Sequence, residues 1–303
     1  MGDTGDTLSA KDHSRFPKVI VMFTHTSIKK IRLLILLPIS AMLLMFLNGC
    51  ATVPVTGRSQ LLLMPESELD AMSSKEYSQF LATHRLSHNR REVEMVQRVG
   101  WRIAHAVEKY LAQHGQSNLI RGYKWEFNLV EGKEINAWCM PGGKVVVYTG
   151  LLPIAKNDAG LAVVLGHEIA HAIARHANER ISQQLALQIG GTALSSALGT
   201  SGSAANTIFR DLYGLGANLG VLLPYSRLQE TEADHLGLIF MAMAGYDPRE
   251  AINFWERMMK TKKAGGAPPE LLSTHPSDQA RIQQIKRFLP EALRYYRESG
   301  YGR

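Results

Sequence analysis

Cysteine is almost absent from this chain of 303 residues, which has only Cys50 and Cys139. No disulfide framework can be built from two cysteines, and zinc sites made of paired thiolates are excluded. Long apolar runs are missing too. The most apolar stretch, Leu33 to Phe46, is shorter than the roughly 20 residues that cross a bilayer comfortably. No internal repeat is visible, so a tandem-repeat scaffold has no support. An excess of positive charge is lacking over most of the chain. The formal net charge is +7, but residues 1–49 hold six basic and three acidic residues, leaving +4 for the remainder. A nucleic-acid partner is therefore not expected. With 45% hydrophobic and 20% charged residues, the balance is that of a globular protein.

Lys29, Lys30 and Arg32 precede the apolar stretch, which ends in Leu47-Asn48-Gly49-Cys50. Basic residues, a short hydrophobic region and a small residue before a cleavage point read as a secretory signal, with Met22 as an alternative start. Leu47 to Cys50 resembles a bacterial lipobox, in which the thiol, here Cys50, is lipidated and becomes the first mature residue. Ala51 follows it rather than an aspartate, which resembles outer-membrane sorting. The expected address is the periplasmic face of a Gram-negative outer membrane, with the lipid on Cys50 as anchor. An uncleaved anchor helix is the alternative. Residues 1–49 would be extension and signal peptide, residues 50–64 a tether lifting the domain off the lipid, and residues 65–298 the catalytic domain.

Within that domain the apolar periodicity predicts helices from Pro65, over 91–113, from Asp158 as one long helix, over 226–244, over 248–262 and from near Pro276. Trp125, Phe127 and Leu129 alternate as in a strand. A hairpin is expected around Pro141-Gly142-Gly143, between Asn136-Ala137-Trp138 and the run Val145-Val146-Val147-Tyr148. Residues 189–224, rich in Gly, Ala, Ser and Leu, read as a lid or as a surface insertion.

The chemistry sits in His167-Glu168-Ile169-Ala170-His171. On a helix, residues four apart lie one turn above each other, so His167 and His171 can aim two imidazoles at one ion. Glu168 is rotated off that line, where a carboxylate can act as general base on a zinc-polarised water. The neighbours Leu165, Gly166, Ile169, Ala170 and Ala172 are small or apolar, poor company for a solvated helix face, and burying unpaired histidines there would be costly. A catalytic zinc keeps three protein ligands, so one more is needed. Ala174 and Ala177 rule out the metzincin pattern. Glu230 and Asp234 share a helical face in Glu230-Thr231-Glu232-Ala233-Asp234, with Glu230 as candidate third ligand and Asp234 as a hydrogen-bond partner for a ligating histidine. On spacing alone Glu232 competes with Glu230.

Ser226-Arg227, Glu230 and Ala233-Asp234, together with the His-Glu-x-x-His run, resemble the zinc endopeptidase family that includes HtpX and the CAAX prenyl endopeptidases, in its branch of soluble periplasmic lipoproteins such as BepA and LoiP. The resemblance covers roughly residues 120–290 and prefers Glu230 as ligand. It implies an α+β fold, a mainly helical gluzincin domain with a small β-sheet, and one Zn2+ per chain. It also implies that Asn136, Ala137 and Trp138 form an edge strand that pairs an extended substrate through its main chain. His275, in Ser273-Thr274-His275-Pro276, would stabilise the oxyanion or, in a latent state, take the open zinc position. A plain helix cap is the alternative for His275. No tetratricopeptide domain is expected, and His105, His176 and His235 are read as surface or supporting residues. The expected activity is cleavage of misfolded or misassembled envelope proteins. An assembly factor for outer-membrane proteins, working with their assembly machinery and with proteolysis latent, is one alternative, and a structural zinc lipoprotein is another.

Overall fold

A computed structural model describes residues 50–191, 226–263 and 279–301, together with Gly2, 207–208, 271–272 and His275. The signal segment before Cys50 and residues 192–206 and 209–224 of the expected lid lie outside the described residues, as do Ser273, Thr274 and Pro276. Among the described residues no helix is long and apolar enough to cross a membrane.

The chain forms a mainly helical domain around a small sheet. Strands β1 (Cys50–Thr52) and β2 (Ser59–Leu61) make an antiparallel pair. Helices α1 (Glu66–Thr83) and α2 (Arg90–Gln113) follow, then β3 (Glu126–Val130), β4 (Ala137–Met140) and β5 (Lys144–Tyr148). Next come a short helix α3 (Leu152–Ala155), α4 (Asp158–Ile173), α5 (His176–Gly191), α6 (Arg227–Met243), α7 (Glu250–Lys263) and α8 (Gln279–Glu298).

Residues 50–64, expected as a tether, are folded. Val53 N–H donates to Arg58 C=O at 2.9 Å and Gly57 N–H to Val53 C=O at 3.0 Å, so Pro54 and Gly57 close a turn and do not extend the chain. In α2 the stripe Val96, Val99, Ile103, Val107 and Leu111 is buried, at the spacing a helix needs to present one face. In the sheet β5 is central: β3 pairs with it in parallel, β4 antiparallel, with Trp138 opposite Val146. The β4–β5 turn depends on two glycines with positive φ, Gly142 at 77° and Gly143 at 80°.

Helix α4 begins at Asn157, whose side chain accepts from Gly160 N–H at 2.9 Å. From Gly160 to Ile173 every residue is buried, which is why its sequence is apolar on all sides. Its closest neighbour is α6. A Cβ placed on Gly166 would lie 2.8 Å from the Gly237 carbonyl oxygen, and one on Gly237 2.9 Å from His167 N. The two backbones touch because neither residue has a side chain. Helix α4 ends in a sharp break. It stops at Ile173, Arg175 turns left-handed with φ 58°, and α5 starts at His176. The apolar pattern continues past the break, so periodicity alone runs the two helices together.

Candidate metal centre

Helix α4 supplies His167, Glu168 and His171, the first turn of α6 supplies Glu230, and His275, whose N–H donates to Leu271 C=O at 2.8 Å, joins them. Ser226 starts α6 with a capping box: its side chain accepts from Gln229 N–H, and Gln229 returns the bond to Ser226 N–H. That fixes the turn carrying Glu230. His167 Nε2 and His171 Nε2 are 3.1 Å apart, His171 Nε2 is 3.3 Å from Glu230 Oε1, and His167 Nε2 is 3.5 Å from Glu230 Oε2. His275 Nδ1 lies 2.8 Å from Glu230 Oε1 and 3.1 Å from His167 Nε2.

All four side chains are buried. The donor set, imidazoles and one carboxylate, is the borderline type that zinc takes. Bonds of about 2.1 Å in a tetrahedron put ligand atoms about 3.4 Å apart. The observed spacings of 3.1, 3.3 and 3.5 Å match that edge. Glu230 Oε2 is buried and makes no regular hydrogen bond, with Arg281 Nη1 at 3.3 Å and His167 Nε2 at 3.5 Å as its nearest charged or polar neighbours. The residues present therefore fit a zinc ion.

Around this cluster the charges are paired. Asp234 Oδ1 is 3.0 Å from His167 Nδ1, the geometry that holds an imidazole in one tautomer with Nε2 facing inward. Arg281, from α8, donates to Asp234 through Nε at 2.8 Å and Nη2 at 2.7 Å, and its guanidinium lies 3.6 Å over the Trp255 ring. Burial would raise the Asp234 carboxyl, yet the Arg281 charge and the His167 hydrogen bond hold it below the ordinary carboxylate value. Burial likewise opposes ionisation of Glu230, and the three histidines outweigh it, leaving the carboxyl well below its usual value. Glu168 goes the other way: burial pushes its carboxyl up to about 7, against the opposing pull of His275. Its Oε1 is 3.4 Å from His275 Nε2.

A site of this composition and geometry has a counterpart in known proteins. The profile of peptidase family M48 matches residues 99–289. The chain belongs to peptidase family M48. Its buried His/His/Glu cluster is thus the zinc site of a peptidase family. Among curated proteins, this M48 chain is 38% identical over 190 residues to the mitochondrial metalloendopeptidase OMA1 of Schizosaccharomyces pombe, covering 63% of this chain and 53% of that protein. It is 30% identical over 249 residues to the human metalloendopeptidase OMA1, mitochondrial, covering 80% and 46%. With the β-barrel assembly-enhancing protease of Escherichia coli it shares 29% over 169 residues, 54% and 34% of the two chains. The chain spans about half the length of the curated relatives it matches.

These relatives correct the expected address. Matches at 30–39% identity, from yeasts, a plant and vertebrates, bear a mitochondrial name, which overturns the assignment to the periplasmic face of a Gram-negative outer membrane. The reason is physical: basic residues before an apolar stretch report attraction to an interface, and that attraction does not say which membrane it serves.

The M48 site differs in detail from the reading of the sequence alone. Glu232 faces away from the ligand cluster: its Oε2 is 2.9 Å from His176 Nε2 and accepts from Arg58 Nη2 at 2.8 Å. His176 is buried against His171, with the two Nδ1 atoms 2.8 Å apart. His235 instead meets Glu291 at 2.7 Å, and His105 stacks on Trp101 at the surface. Asn136 is buried just before β4, and Ala137 and Trp138 lie in it, with β4 a terminal strand of its sheet among the described residues and packed along α4. Cys50 starts β1. Two supporting residues escaped the sequence reading as partners of the site, Arg58 and Arg281, whereas His176 was read as either a surface or a supporting residue. Arg281 had a signal, since it shares a helical stripe with Ile282 and Ile285, where a lone cation must find a buried partner. Arg58 had none.

Proposed function

We propose that this M48 domain is a zinc-dependent endopeptidase that cuts unfolded or misassembled proteins in extended stretches, with His167, His171 and Glu230 as ligands and Glu168 as base. The observation that carries the reading is the convergence of Nε2 of His167, Nε2 of His171 and both Glu230 oxygens at tetrahedral-edge spacing, beside a buried carboxyl raised to about 7. A zinc ion held by His167, His171 and Glu230 would supply Lewis acidity to a scissile carbonyl and lower the pKa of a water. Glu168 takes a proton at its carboxylate and returns it to the leaving amine, a task suited to a group that titrates near neutrality. Asp234 holds the His167 tautomer, and Arg281 keeps Asp234 ionised. The β4 strand lies beside α4, so an extended segment added along Asn136, Ala137 and Trp138 would pass in front of Glu168, recognised by its main chain and tolerant of varied side chains.

In the conformation seen here His275 is a fourth donor, 2.8 Å from Glu230 Oε1. We read this as a shut resting state, in which His275 must swing away before a substrate carbonyl can approach and can then stabilise the oxyanion. That placement favours a second reading, an assembly factor whose proteolysis is latent, in keeping with the name of the E. coli relative. Cleavage of reduced, unfolded casein by the zinc-loaded chain, its Glu168→Gln variant and its His275→Ala variant tests both. The peptidase reading expects Glu168→Gln to keep zinc and lose cleavage by about 10²-fold or more, the usual worth of a positioned general base. Equal activity in that variant would refute it. Protection of substrate without cleavage by every form would favour the second reading.

A further inference from the structure

On its outer side His167 meets a carboxylate, Asp234 Oδ1, at Nδ1, and His171 presents its own Nδ1 to a different kind of group. Its Nδ1 meets another imidazole, His176 Nδ1, at 2.8 Å. His176 reaches it because Arg175 breaks the helix in a left-handed conformation, swinging the next residue back onto the ligand's outer side. The far nitrogen of His176, Nε2, lies 2.9 Å from Glu232 Oε2, and a carboxylate can only accept, so Nε2 carries the hydrogen. Nδ1 of a neutral His176 is then an acceptor, His171 Nδ1–H donates to it, and the lone pair of His171 is left on Nε2, which faces the cluster. Glu232 is itself held. It accepts from Thr56 Oγ1 and from Arg58 Nε and Nη2 at 2.9 and 2.8 Å. Arg58 also donates to Glu179 at 2.6 and 2.8 Å, and Gln229 donates to the same carboxylate at 2.7 Å.

We propose that His176, Glu232 and Arg58 are positioning residues for His171, a relay that fixes its tautomer and ring plane and that ends on the N-terminal β1–β2 turn. The turn carrying Arg58 is thereby a structural part of the metal centre, and its loss loosens the ion. This rests on the zinc reading above.

The test uses the full chain and measures zinc affinity by competition with a chromogenic chelator, the cobalt(II) absorption spectrum, and the thermal midpoint of the metal-free protein. His176→Leu is expected to weaken zinc by about 10–100-fold, the usual loss on removing such a partner, and to shift the cobalt bands. His176→Gln, whose amide can donate to Glu232 and accept from His171, should recover most of the affinity and the spectrum. Arg58→Met should fall between. Wild-type affinity in His176→Leu overturns the proposal, and so does a His176→Gln variant as weak as His176→Leu, since then packing and not the relay is what matters. Should His176→Leu fail to fold, unchanged affinity and spectrum in Arg58→Met overturn it alone. Absence of zinc binding by the unsubstituted chain would instead sink the zinc reading itself.

Discussion

Substituting alanine for Gly237 adds one methyl group where α6 touches α4. That methyl would sit 2.9 Å from Gly166 C, 2.9 Å from His167 N and 3.0 Å from His167 Cα, all backbone atoms. Carbon contacts are comfortable at about 3.5–4.0 Å, so the helices must part by roughly 0.5–1 Å. Neither side can yield by turning a side chain. Overpacking of this kind costs about 1–3 kcal/mol, and exchanging glycine for alanine within a helix returns about 1 kcal/mol. The net loss is then about 0–2 kcal/mol, or up to about 8 °C in the melting midpoint at about 2–4 °C per kcal/mol for a domain of this size. The metal centre should suffer more than the fold, because the shift falls between His167 and the helix bearing Glu230, and ligands need to be held within about 0.5 Å. Thermal unfolding of the metal-free variant, paired with chelator competition for zinc, separates the two effects. A Gly237→Ala protein that binds zinc like the parent would refute the claim that this contact sets the ligand spacing.

Three further expectations can be checked together. Burial works against ionisation of Glu179, but hydrogen bonds from Arg58 and Gln229 prevail and hold its carboxyl below the ordinary value. A depressed folded pKa adds stability above the unfolded carboxyl's pKa that is lost as pH falls through the folded value. Urea melts taken from neutral pH downward should therefore show a shallower acid decline in Arg58→Met than in the parent, and an identical decline would count against the clamp. Zinc present at about 100 times its dissociation constant should raise stability by about 2.7 kcal/mol, and chelation should remove that gain, read as a drop in midpoint. No change on chelation would mean that the ion is not bound by the folded form. Arg98 and Asp158 are paired at 2.8 Å but largely exposed, so Arg98→Ala should cost only about 0.2–1 kcal/mol. A larger loss by denaturant melt would show that this surface pair does more than its exposure allows.

The helices and the metal ligands were readable to different depths. His167 and His171 declare themselves by spacing, and the hairpin by Pro141-Gly142-Gly143, because both depend on neighbours in sequence. The parallel pairing of β3 with β5 was not readable, since no local signal records which strands meet. The break at Arg175 was hidden as well: a left-handed arginine leaves no mark in the apolar pattern on either side of it. That one turn converts His176 from a bystander into a neighbour of His171. Glu232 looked like a rival ligand because spacing puts two carboxylates near the site; the resemblance preferred Glu230, and the physical reason, the hold of Arg58 on Glu232, comes from 174 residues earlier in the chain.

The residues that complete the metal centre are also ordered in time. His167 leaves the ribosome well before Arg281, from which it is separated by 114 positions. At about 5–20 residues per second, that interval is roughly 6–23 s. For nearly all of it the growing chain carries the His167–His171 helix without His275, 108 positions on, and for all of it without the α8 residue that neutralises Asp234. The charge pairing around the metal centre is therefore completed only when the last helix brings Arg281 to Asp234.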